Sequence, residues 1–428
     1  MKRLYKYIKL CLLKQAIFVK THYLYIVNII NKSYKVRIYP NNNQIKLLNK
    51  HFGSVRFIYN YFLNIKNNKY KETGNNLSYY DLCNTLTIIK NNDDYIWLNE
   101  VNSQSLQWSI RYLDVAFNNF FNKRSKFPKF KKKSNEQSFK VPVNSTFKLL
   151  NDKIILPKFK EGLKYKGNIE LNNLLKFNSI TITKTPTGKY YASLQGEFKY
   201  ESKENNNNKV GIDLGVKDFL ITDKGDKISN PKYLKKSLKK LKFNQKKLSK
   251  KIKGTKNRNK QRIIVAKIHE KITNKRNDFL HKLSSKIINE NQIICLEDLA
   301  VKNMVKNHKL AQSISDVSWS KFVNMLKYKS EWNNRQLIQI SRFYPSSKSC
   351  SECNYINEGL TLKDREWTCP SCITYHDRDI NAAKNILKQG INILSGLGTK
   401  SDIKQKPLEA LSIDKSMKEE TQPSLVIG

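Results

Sequence analysis

The amino-acid sequence predicts an α+β protein of more than one domain, and three observations support this. At 428 residues the chain is long enough for two or three domains with buried cores. Hydrophobic residues make up 39% of it, including 22 Tyr and 19 Phe, a composition typical of folded proteins. The spacing of apolar residues alternates along the chain between helical and strand-like periods. We therefore expect both sheets and helices.

The first half of the chain predicts a small β-barrel, or a sheet, interrupted by a helical insertion. Residues 34–39 alternate between apolar and polar side chains and end at Pro40, which is typical of a short strand. Between residues 44 and 121 apolar side chains recur at steps of three and four, which predicts helices. After a basic segment at 123–133, four strand-like runs follow, at residues 138–143, 153–156, 179–183 and 190–198.

The second half begins after the polar linker 205–208 and changes character. Residues 210–215 and 219–222 predict two strands, and a tight turn follows at 223–226. Two apolar stripes separated by Gly254 then predict an antiparallel helical hairpin. The remaining predicted elements are a strand at 292–296, a helix at about 322–336 and a helix at 381–387.

Charge is the strongest global feature of the sequence. Lys and Arg number 80 against 35 Asp and Glu, which leaves a formal net charge of +45. A positive field of this size suits a polyanion, and phosphate backbones are the usual partner. A lysine bias inherited from an AT-rich genome is the alternative, but acidic residues have not risen with the lysines. We therefore expect a nucleic-acid partner.

The predicted hairpin concentrates this charge. Residues 235–282 hold 19 Lys or Arg and only two acids, Glu270 and Asp278. A solvated helix face normally mixes the two signs, so the one-sided charge favours a surface that tracks phosphates over a plain exposed face.

Four of the seven cysteines form two pairs, Cys350-x-x-Cys353 and Cys369-x-x-Cys372, separated by fifteen residues. This is the spacing of a structural zinc ribbon, in which each C-x-x-C turn directs two thiolates to one ion. Metal ligation in a large chain also indicates a reducing compartment, since disulfides are rare there. His376 lies close by but would be a fifth ligand, so we expect it not to bind the zinc.

Membrane insertion is not expected. The longest uncharged stretch near the N-terminus, residues 21–31, has 11 residues, whereas a spanning helix needs roughly 18 or more. Lysines at positions 14 and 20 also interrupt any signal-peptide core.

Three acids form a second set of candidate ligands. Asp213 follows a short apolar run between Gly211 and Gly215, Glu297 closes the apolar run 293–296, and Asp379 opens a helix. Two acids at strand ends and one at a helix start are the arrangement that a divalent-metal site in a ribonuclease-H-like sheet requires. Carboxylates suit Mg²⁺ or Mn²⁺, and two such ions can cleave a phosphodiester.

Each of these acids is weak evidence taken singly. Asp379 alone could equally be a helix N-cap. Cys295, two residues before Glu297, fits a buried core cysteine better than a nucleophile.

The C-terminal part of the sequence resembles a known family. The run Arg342-Phe-Tyr-Pro-Ser-Ser-Lys-Ser-Cys350 continues through the cysteine pairs to His376-Asp-Arg-Asp379-Ile-Asn-Ala-Ala-Lys-Asn-Ile386. This run resembles the signature of the TnpB (OrfB-type) proteins encoded by bacterial and archaeal insertion sequences. Segments near the N-terminus resemble the family's N-terminal helical domain, among them 34–40, 53–56 and 129–131. The resemblance covers about residues 34–390.

The resemblance implies an activity. Members of this family are RNA-guided DNA endonucleases related to compact type V CRISPR effectors, and a single RuvC-like site cuts both DNA strands. It implies a target DNA and a guide RNA from the transposon end as partners. The family's catalytic acids fall on Asp213, Glu297 and Asp379, which would hold Mg²⁺ or Mn²⁺, and its zinc ligands on Cys350, Cys353, Cys369 and Cys372. We expect a monomer or weak dimer, cytoplasmic and nucleoid-associated if the host is prokaryotic.

The expected domains follow from the patterns and the resemblance. An N-terminal extension of unassigned role covers 1–33, and a β-barrel with its helical insertion at about 42–121 covers 34–204 and binds RNA and DNA. A RuvC-like domain covers 205–343, with the basic hairpin at 232–290, and resumes at 376–395. The zinc ribbon at 344–375 is inserted between its two parts and contacts DNA, and a flexible tail covers 396–428.

The sequence departs from the family pattern at turns. Family members usually place glycine after the second cysteine of each pair, where φ is positive, but here Asn354 and Ile373 occupy these positions. Asn tolerates such a conformation and a β-branched residue does not. A pair of asparagines, Asn333 and Asn334, likewise replaces a glycine-bearing turn.

Two other functions remain open at this stage. One is a nucleic-acid-binding regulator of transposition that does not cut, which the intact acids disfavour. The other is a ribonuclease-H-fold transposase acting directly in DNA recombination, which orders its acids Asp, Asp, Glu, whereas the order here is Asp, Glu, Asp.

Overall fold

The computed structural model describes residues 28–134, 136–142, 147–150, 152–200, 204–361 and 363–396. Most of the expected N-terminal extension and of the expected flexible tail lie outside the described residues. The chain divides into two compact units, one formed by residues 1–201 with 244–270 and the other by 202–243 with 271–428. Both units mix helices and strands, as the sequence predicts.

The first unit contains a curled sheet of seven strands. The strands are β1 (Asn28–Ile38), β2 (Gln137–Pro142), β3 (Lys148–Leu149), β4 (Lys153–Leu156), β5 (Phe159–Lys166), β6 (Leu174–Lys184) and β7 (Tyr190–Tyr200). They lie in the order β2-β6-β7-β1-β5-β4-β3, and every pairing is antiparallel. Burial alternates along β7, because successive side chains of a strand point to opposite faces.

Strand β1 is longer than the sequence predicts. It begins at Asn28, and its residues pair in unbroken register with β7, from Asn28 opposite Tyr200 to Ile38 opposite Tyr190. Residues 28–33, expected in an N-terminal extension, therefore belong to this sheet. Strand β5 was missed in the sequence, because its burial does not follow a simple period and Gly162 interrupts it at a φ of +70°.

The helical insertion lies between β1 and β2, as expected. It consists of α1 (Asn42–Thr73), α2 (Tyr79–Lys90), a 3₁₀ helix (Asp93–Glu100) and α3 (Ser103–Phe121). Asn41 and Gln44 form a reciprocal capping box at the start of α1, and Gly74 ends it in the left-handed conformation. Buried side chains of α1 and α3, including Phe62 and Leu113, share one core with the sheet.

The second unit contains a five-stranded sheet. Its strands are β8 (Lys209–Asp213), β9 (Asp218–Thr222), β10 (Lys227–Ser229), β11 (Ile293–Glu297) and β12 (Gln336–Ile340). The order is β10-β9-β8-β11-β12, in which β8, β11 and β12 run parallel while β9 is antiparallel to both of its neighbours.

Helices cover both faces of this sheet. They are α4 (Tyr233–Ser249), α5 (Lys256–Glu290), α6 (Val301–Met304), α7 (His308–Val317), α8 (Trp319–Trp332) and α9 (Arg378–Leu394). Ile294 of β11 packs with Leu283 of α5 and Phe322 of α8, whereas its neighbour Cys295 packs with Ile386 of α9. Because adjacent strand residues face opposite ways, α5 and α8 lie on one face and α9 on the other. Within the described chain, no helix combines the length and the apolar character that crossing a membrane requires.

The predicted helix at 322–336 is too long. Helix α8 ends at Trp332, and Gln336 already begins β12. Asn334 turns the chain between them at a φ of +49°, in the conformation that the missing glycine would have supplied. The strand escapes sequence analysis because no glycine or proline separates it from the helix before it.

The basic hairpin forms as expected from α4 and α5. Near its tip, the Gln261 amide donates to the backbone oxygen of Asn244, and the Arg258 guanidinium donates to Leu248. At the start of α4, the carboxylate of Asp316 accepts from the backbone N–H of Leu234 and pairs with Arg276 at 2.7 Å. The tip, residues 244–270, groups with the first unit. The predicted domain boundaries stay predictions.

Candidate metal centres

Asp213 and Glu297 close two neighbouring parallel strands. Asp213 is the last residue of β8 and Glu297 the last of β11, and the register places Ile212 beside Leu296 one residue earlier. Since parallel strands end at the same edge of a sheet, the two carboxylates emerge side by side.

Asp379 lies in the first turn of α9, but it does not cap the helix. Asp377 is the N-cap, and its carboxylate accepts from the backbone N–H groups of Asp379 and Ile380 at 3.0 and 3.1 Å. The alternative interpretation of Asp379 as an N-cap is therefore wrong, because Asp377 already fills that role. The Asp379 carboxylate instead faces the Arg365 guanidinium at 3.5 Å.

Gly211 allows α9 to lie close to β8. A Cβ atom at this position would stand 2.1 Å from the backbone oxygen of Ala383, so only glycine permits the contact. Gly390 plays the same part nearer the end of α9, where a Cβ would stand 2.3 Å from the Cys295 sulfur. Both glycines fix the helix that carries Asp379 against the strands that carry the other two acids.

The ionisation of the acids shows that they share one environment. Burial, and then the charge of Asp379, raise the pKa of Asp213 to about 6. Burial raises the pKa of Glu297 to about 7, with the charge of Asp213 as the next cause. The structure therefore places Asp213 and Glu297 at adjacent strand ends, and the helix that carries Asp379 lies against β8. Across the described ranges their oxygens do not form a single group within 4.8 Å.

Two basic side chains form ion pairs, not evident in the sequence, with residues one or two positions from the acids. Arg342 forms an ion pair with Asp298, the residue after Glu297, and its charge partly opposes the rise that burial causes in the pKa of Glu297. Lys227 pairs with the cap residue Asp377 at 2.6 Å. Such pairs join segments far apart in sequence, so no local pattern could have indicated them.

The four predicted cysteine ligands converge. The sulfur atoms of Cys350 and Cys372 lie 3.6 Å apart, as do those of Cys353 and Cys369, and all four lie within 4.8 Å of one another. Four thiolates arranged tetrahedrally around one ion at about 2.3 Å stand about 3.8 Å apart. The cluster therefore fits a single tetrahedral metal. Among the described residues it is the only group of three or more potential ligands this close.

His376 contacts the cluster from outside. It lies in β14 (Tyr375–Asp377), opposite Trp367 of β13 (Glu366–Thr368), and its Nε2 atom stands 3.1 Å from the Cys350 sulfur. The close group consists of the four cysteines without this histidine. A hydrogen bond to a ligating thiolate is the role that this geometry supports.

Both turns of the cluster adopt the conformation that glycine usually supplies. Asn354 has a φ of +65° and Ile373 a φ of +58°, and their N–H groups donate to the backbone oxygens of Cys350 and Cys369. Ile373 is strained here, because a β-branched side chain is disfavoured at positive φ. Both turns therefore close with a residue other than glycine at positive φ.

Comparisons with known proteins agree with these features. Three family models match: "Helix-turn-helix domain" over residues 28–75, "Probable transposase" over 183–308 and "Cas12f1-like, TNB domain" over 319–386. A Streptomyces pristinaespiralis protein named "Putative RNA-guided DNA endonuclease" is 37% identical over 85% of this chain and 90% of its own length. A second relative, "Putative RNA-guided DNA endonuclease InsQ" from Escherichia coli K12, is 28% identical over 89% of this chain and 98% of its own length.

The chain also resembles a more distant relative and a solved structure. The TnpB-like protein L79 of Acanthamoeba polyphaga mimivirus is 25% identical over 84% of this chain and 73% of its own length. A solved Cas12f1-sgRNA-target DNA complex aligns with a TM-score of 0.48 at 13% identity, covering 84% of this chain and 98% of that one.

The fold and the matching family models define an α+β protein of the transposase-associated class, with four cysteines spaced to hold one metal ion. The chain belongs to the TnpB (OrfB-type) family, as its identity with the Streptomyces relative over most of both chains shows.

Proposed function

We propose that this protein is a transposon-associated, RNA-guided DNA endonuclease that hydrolyses target DNA at Asp213, Glu297 and Asp379. The observation that carries the proposal is the convergence of these acids at one end of the second sheet. The names of the relatives, which cover nearly all of their own length, give the activity and its RNA guidance.

A ribonuclease-H-like, RuvC-type fold for the second unit is part of the proposal. Its support is the strand order β10-β9-β8-β11-β12, with one antiparallel strand next to three parallel ones and helices on both faces. For the first unit, the curled antiparallel sheet supports a barrel, and the helical block between β1 and β2 supports its role as an insertion.

The acids suit divalent cations. Mg²⁺ or Mn²⁺ held there would activate water and neutralise charge on the leaving oxygen of the phosphodiester. Burial first, and then a neighbouring negative charge, raise the pKa values of the half-buried Asp213 and Glu297 and so disfavour their ionised forms. A bound cation would neutralise the repulsion between the carboxylates and favour their ionised forms. Asp379 adds its carboxylate from the first turn of α9, at the positive end of the helix dipole, where negative charge is stabilised.

Zinc is the proposed occupant of the cysteine cluster. The near-tetrahedral spacing and the all-sulfur ligand set favour it, and four protein ligands leave no position open for catalysis. The Arg378 guanidinium donates to the backbone oxygen of Thr361 in the ribbon, so the ribbon helps to hold the start of α9.

Nucleic acid is the proposed partner of both units. The net charge of +45 and the basic hairpin supply attraction for phosphate, and the acid site supplies the cut. A regulator that binds without cutting would need no such converging acids.

The test compares cleavage by single variants of the RNA-loaded protein. Asp213→Ala, Glu297→Ala and Asp379→Ala should each reduce cutting of guide-matched DNA by at least about 10³-fold, because each loss misplaces a cation and costs several kcal/mol of transition-state stabilisation. Binding of guide and target, measured separately, should change little.

Asp377→Asn is the matched control. Asparagine caps helices as well as aspartate does, so this variant should fold and retain most of its cutting activity. Equal loss in Asp377→Asn, or persistent cutting by Asp379→Ala, would show that the wrong aspartate was assigned. Cutting of DNA unmatched to the copurified RNA would refute guidance.

A further inference from the structure

Phe343 is exposed to an unusual degree beside the acid site. Its side chain is 87% exposed, the highest fraction among the large hydrophobic side chains of the described residues. Phenylalanine is usually buried, and here nearly the whole ring is available to contact a partner.

The residues around Phe343 are fixed. Arg342, immediately before it, forms the ion pair with Asp298, and Tyr344, immediately after it, packs on the cluster of Cys295, Ile338 and Ile386. The backbone turns tightly, since Tyr344 N–H donates to the Ser341 oxygen at 3.2 Å and Phe343 N–H donates to the Ser341 hydroxyl at 3.3 Å. The ring is therefore presented by a rigid turn.

This turn begins at the end of β12, beside the strand end that carries Glu297. Asp298 N–H donates to the Ile340 oxygen at 3.0 Å, and Glu297 pairs with Ile340 in the parallel register. Phe343 follows three residues later, so its Cα lies within about 11 Å of that of Ile340. The acids, a guanidinium and an exposed aromatic ring thus occupy one end of the sheet.

We propose that Phe343 stacks on a base of the single DNA strand that enters the acid site, and so positions the scissile phosphate. An aromatic ring is sequence-tolerant because every base has a π-face, which suits an enzyme whose sequence choice comes from its guide. Arg342 anchors the turn through Asp298 and so links the ring to the strand that carries Glu297. This inference rests on the proposed nuclease function, since it assumes that DNA reaches the three acids.

The experiment uses full-length protein with its copurified guide RNA and a complementary single-stranded DNA. Phe343→Ala should lower the single-turnover cleavage rate constant about tenfold, in the range that loss of one base–aromatic stack produces. Phe343→Trp should restore it, because indole also stacks. Leu394→Ala is the control, since Leu394 is an exposed apolar residue at the far end of α9, about 22 Å along the helix from Asp379.

A second readout reports stacking without cutting. In an Asp213→Ala background, 2-aminopurine scanned along the DNA should show a quenched position that brightens in Phe343→Ala and not in Leu394→Ala. Thermal unfolding of each variant checks its folding. An unchanged rate in Phe343→Ala, or unchanged quenching at every position, would overturn the inference while leaving the nuclease intact. Failure of the wild type to cut guide-matched DNA would instead refute the proposed function. The 2-aminopurine fluorescence would then test by itself whether Phe343 stacks on a base.

Discussion

At the scale of the residue, two aspartates of one short motif have different roles. Asp377 caps α9 and pairs with Lys227, whereas Asp379, two residues later, faces Asp213 and Arg365. The motif alone does not distinguish them. The first residue of a helix must satisfy free N–H groups, and the side chain that does so has little capacity left for a metal.

Ile373 gives a prediction at the same scale. A left-handed conformation costs a non-glycine residue roughly 1–2 kcal/mol. Glycine avoids this cost, but it loses more conformational entropy on folding, which offsets part of the gain. The side chain is 80% exposed, so its removal loses little packing. Ile373→Gly should therefore stabilise the ribbon by about 0.5–1 kcal/mol and slow the loss of zinc to a chelator.

Two further variants serve as controls for the measurement of zinc loss. Asn354→Gly should change zinc retention less, because asparagine already tolerates positive φ. Cys350→Ser removes a ligand and should lose the metal altogether. Faster zinc loss in Ile373→Gly than in the unmodified protein would show that the isoleucine makes a contact worth more than the strain.

At the scale of the element, the hairpin of α4 and α5 separates its apolar and its charged residues. Leu241 of α4 is buried, and Leu280 and Leu283 of α5 lie in the second core. The lysines remain exposed along the same helices, and few acids accompany them. A helix can afford such one-sided charge when a polyanion neutralises it.

Removing charge from α4 should alter the salt dependence of binding. Four exposed lysines lie at helical spacing along it: Lys235, Lys239, Lys242 and Lys246. Changing all four to glutamine should weaken nucleic-acid binding and reduce the slope of log affinity against log salt by about 3, since each lost phosphate contact removes roughly 0.7–0.9.

A matched set controls for net charge. Lys224, Lys302, Lys306 and Lys327 are exposed and lie outside the hairpin. Their change to glutamine removes the same charge and should leave the slope nearly unchanged. Equal slopes in both quadruple variants would assign the phosphate contacts to another surface.

At the scale of the whole molecule, the two units have separate cores, and a buried histidine lies in the first. His51 is fully buried against Phe139 and Phe159, donates from Nδ1 to the Leu47 oxygen and accepts at Nε2 from the Asn102 N–H. Both ring nitrogens are satisfied only when the ring is neutral. Burial accordingly lowers the pKa of His51 from 6.5 to about 4.

This pKa shift predicts a pH dependence of the first unit. The unfolded chain binds a proton near pH 6.5 and the folded chain only near pH 4, so stability is full above pH 6.5 and falls as the pH drops between these values. The loss between pH 7.5 and pH 5 should be about 2 kcal/mol. Hydrogen exchange of the α1 core amides measures it, because these amides report the first unit. In His51→Gln the dependence of stability on pH should become weaker, whatever the overall stability of the variant. An unchanged slope would contradict the assignment.

The sequence by itself determined the parts of this protein that depend on local spacing. The two cysteine pairs, the acids that close apolar runs and the stripes of the basic hairpin are all readable within a few tens of residues, because ligand turns and helical faces repeat at short range. The family resemblance also implied a positive φ after each cysteine pair, which Asn354 and Ile373 adopt.

Only the tertiary structure decided what depends on residues distant in the chain. Strands β5 and β12 are completed by hydrogen bonds to neighbouring strands. Their own sequences do not predict them, because the burial of β5 is irregular and no glycine or proline marks where α8 ends before β12. The roles of Asp377 and Asp379 follow from where α9 begins. The contact between Gly211 and Ala383 and the pair Arg342–Asp298 join segments separated by more than forty residues, and no periodicity encodes which distant groups will meet.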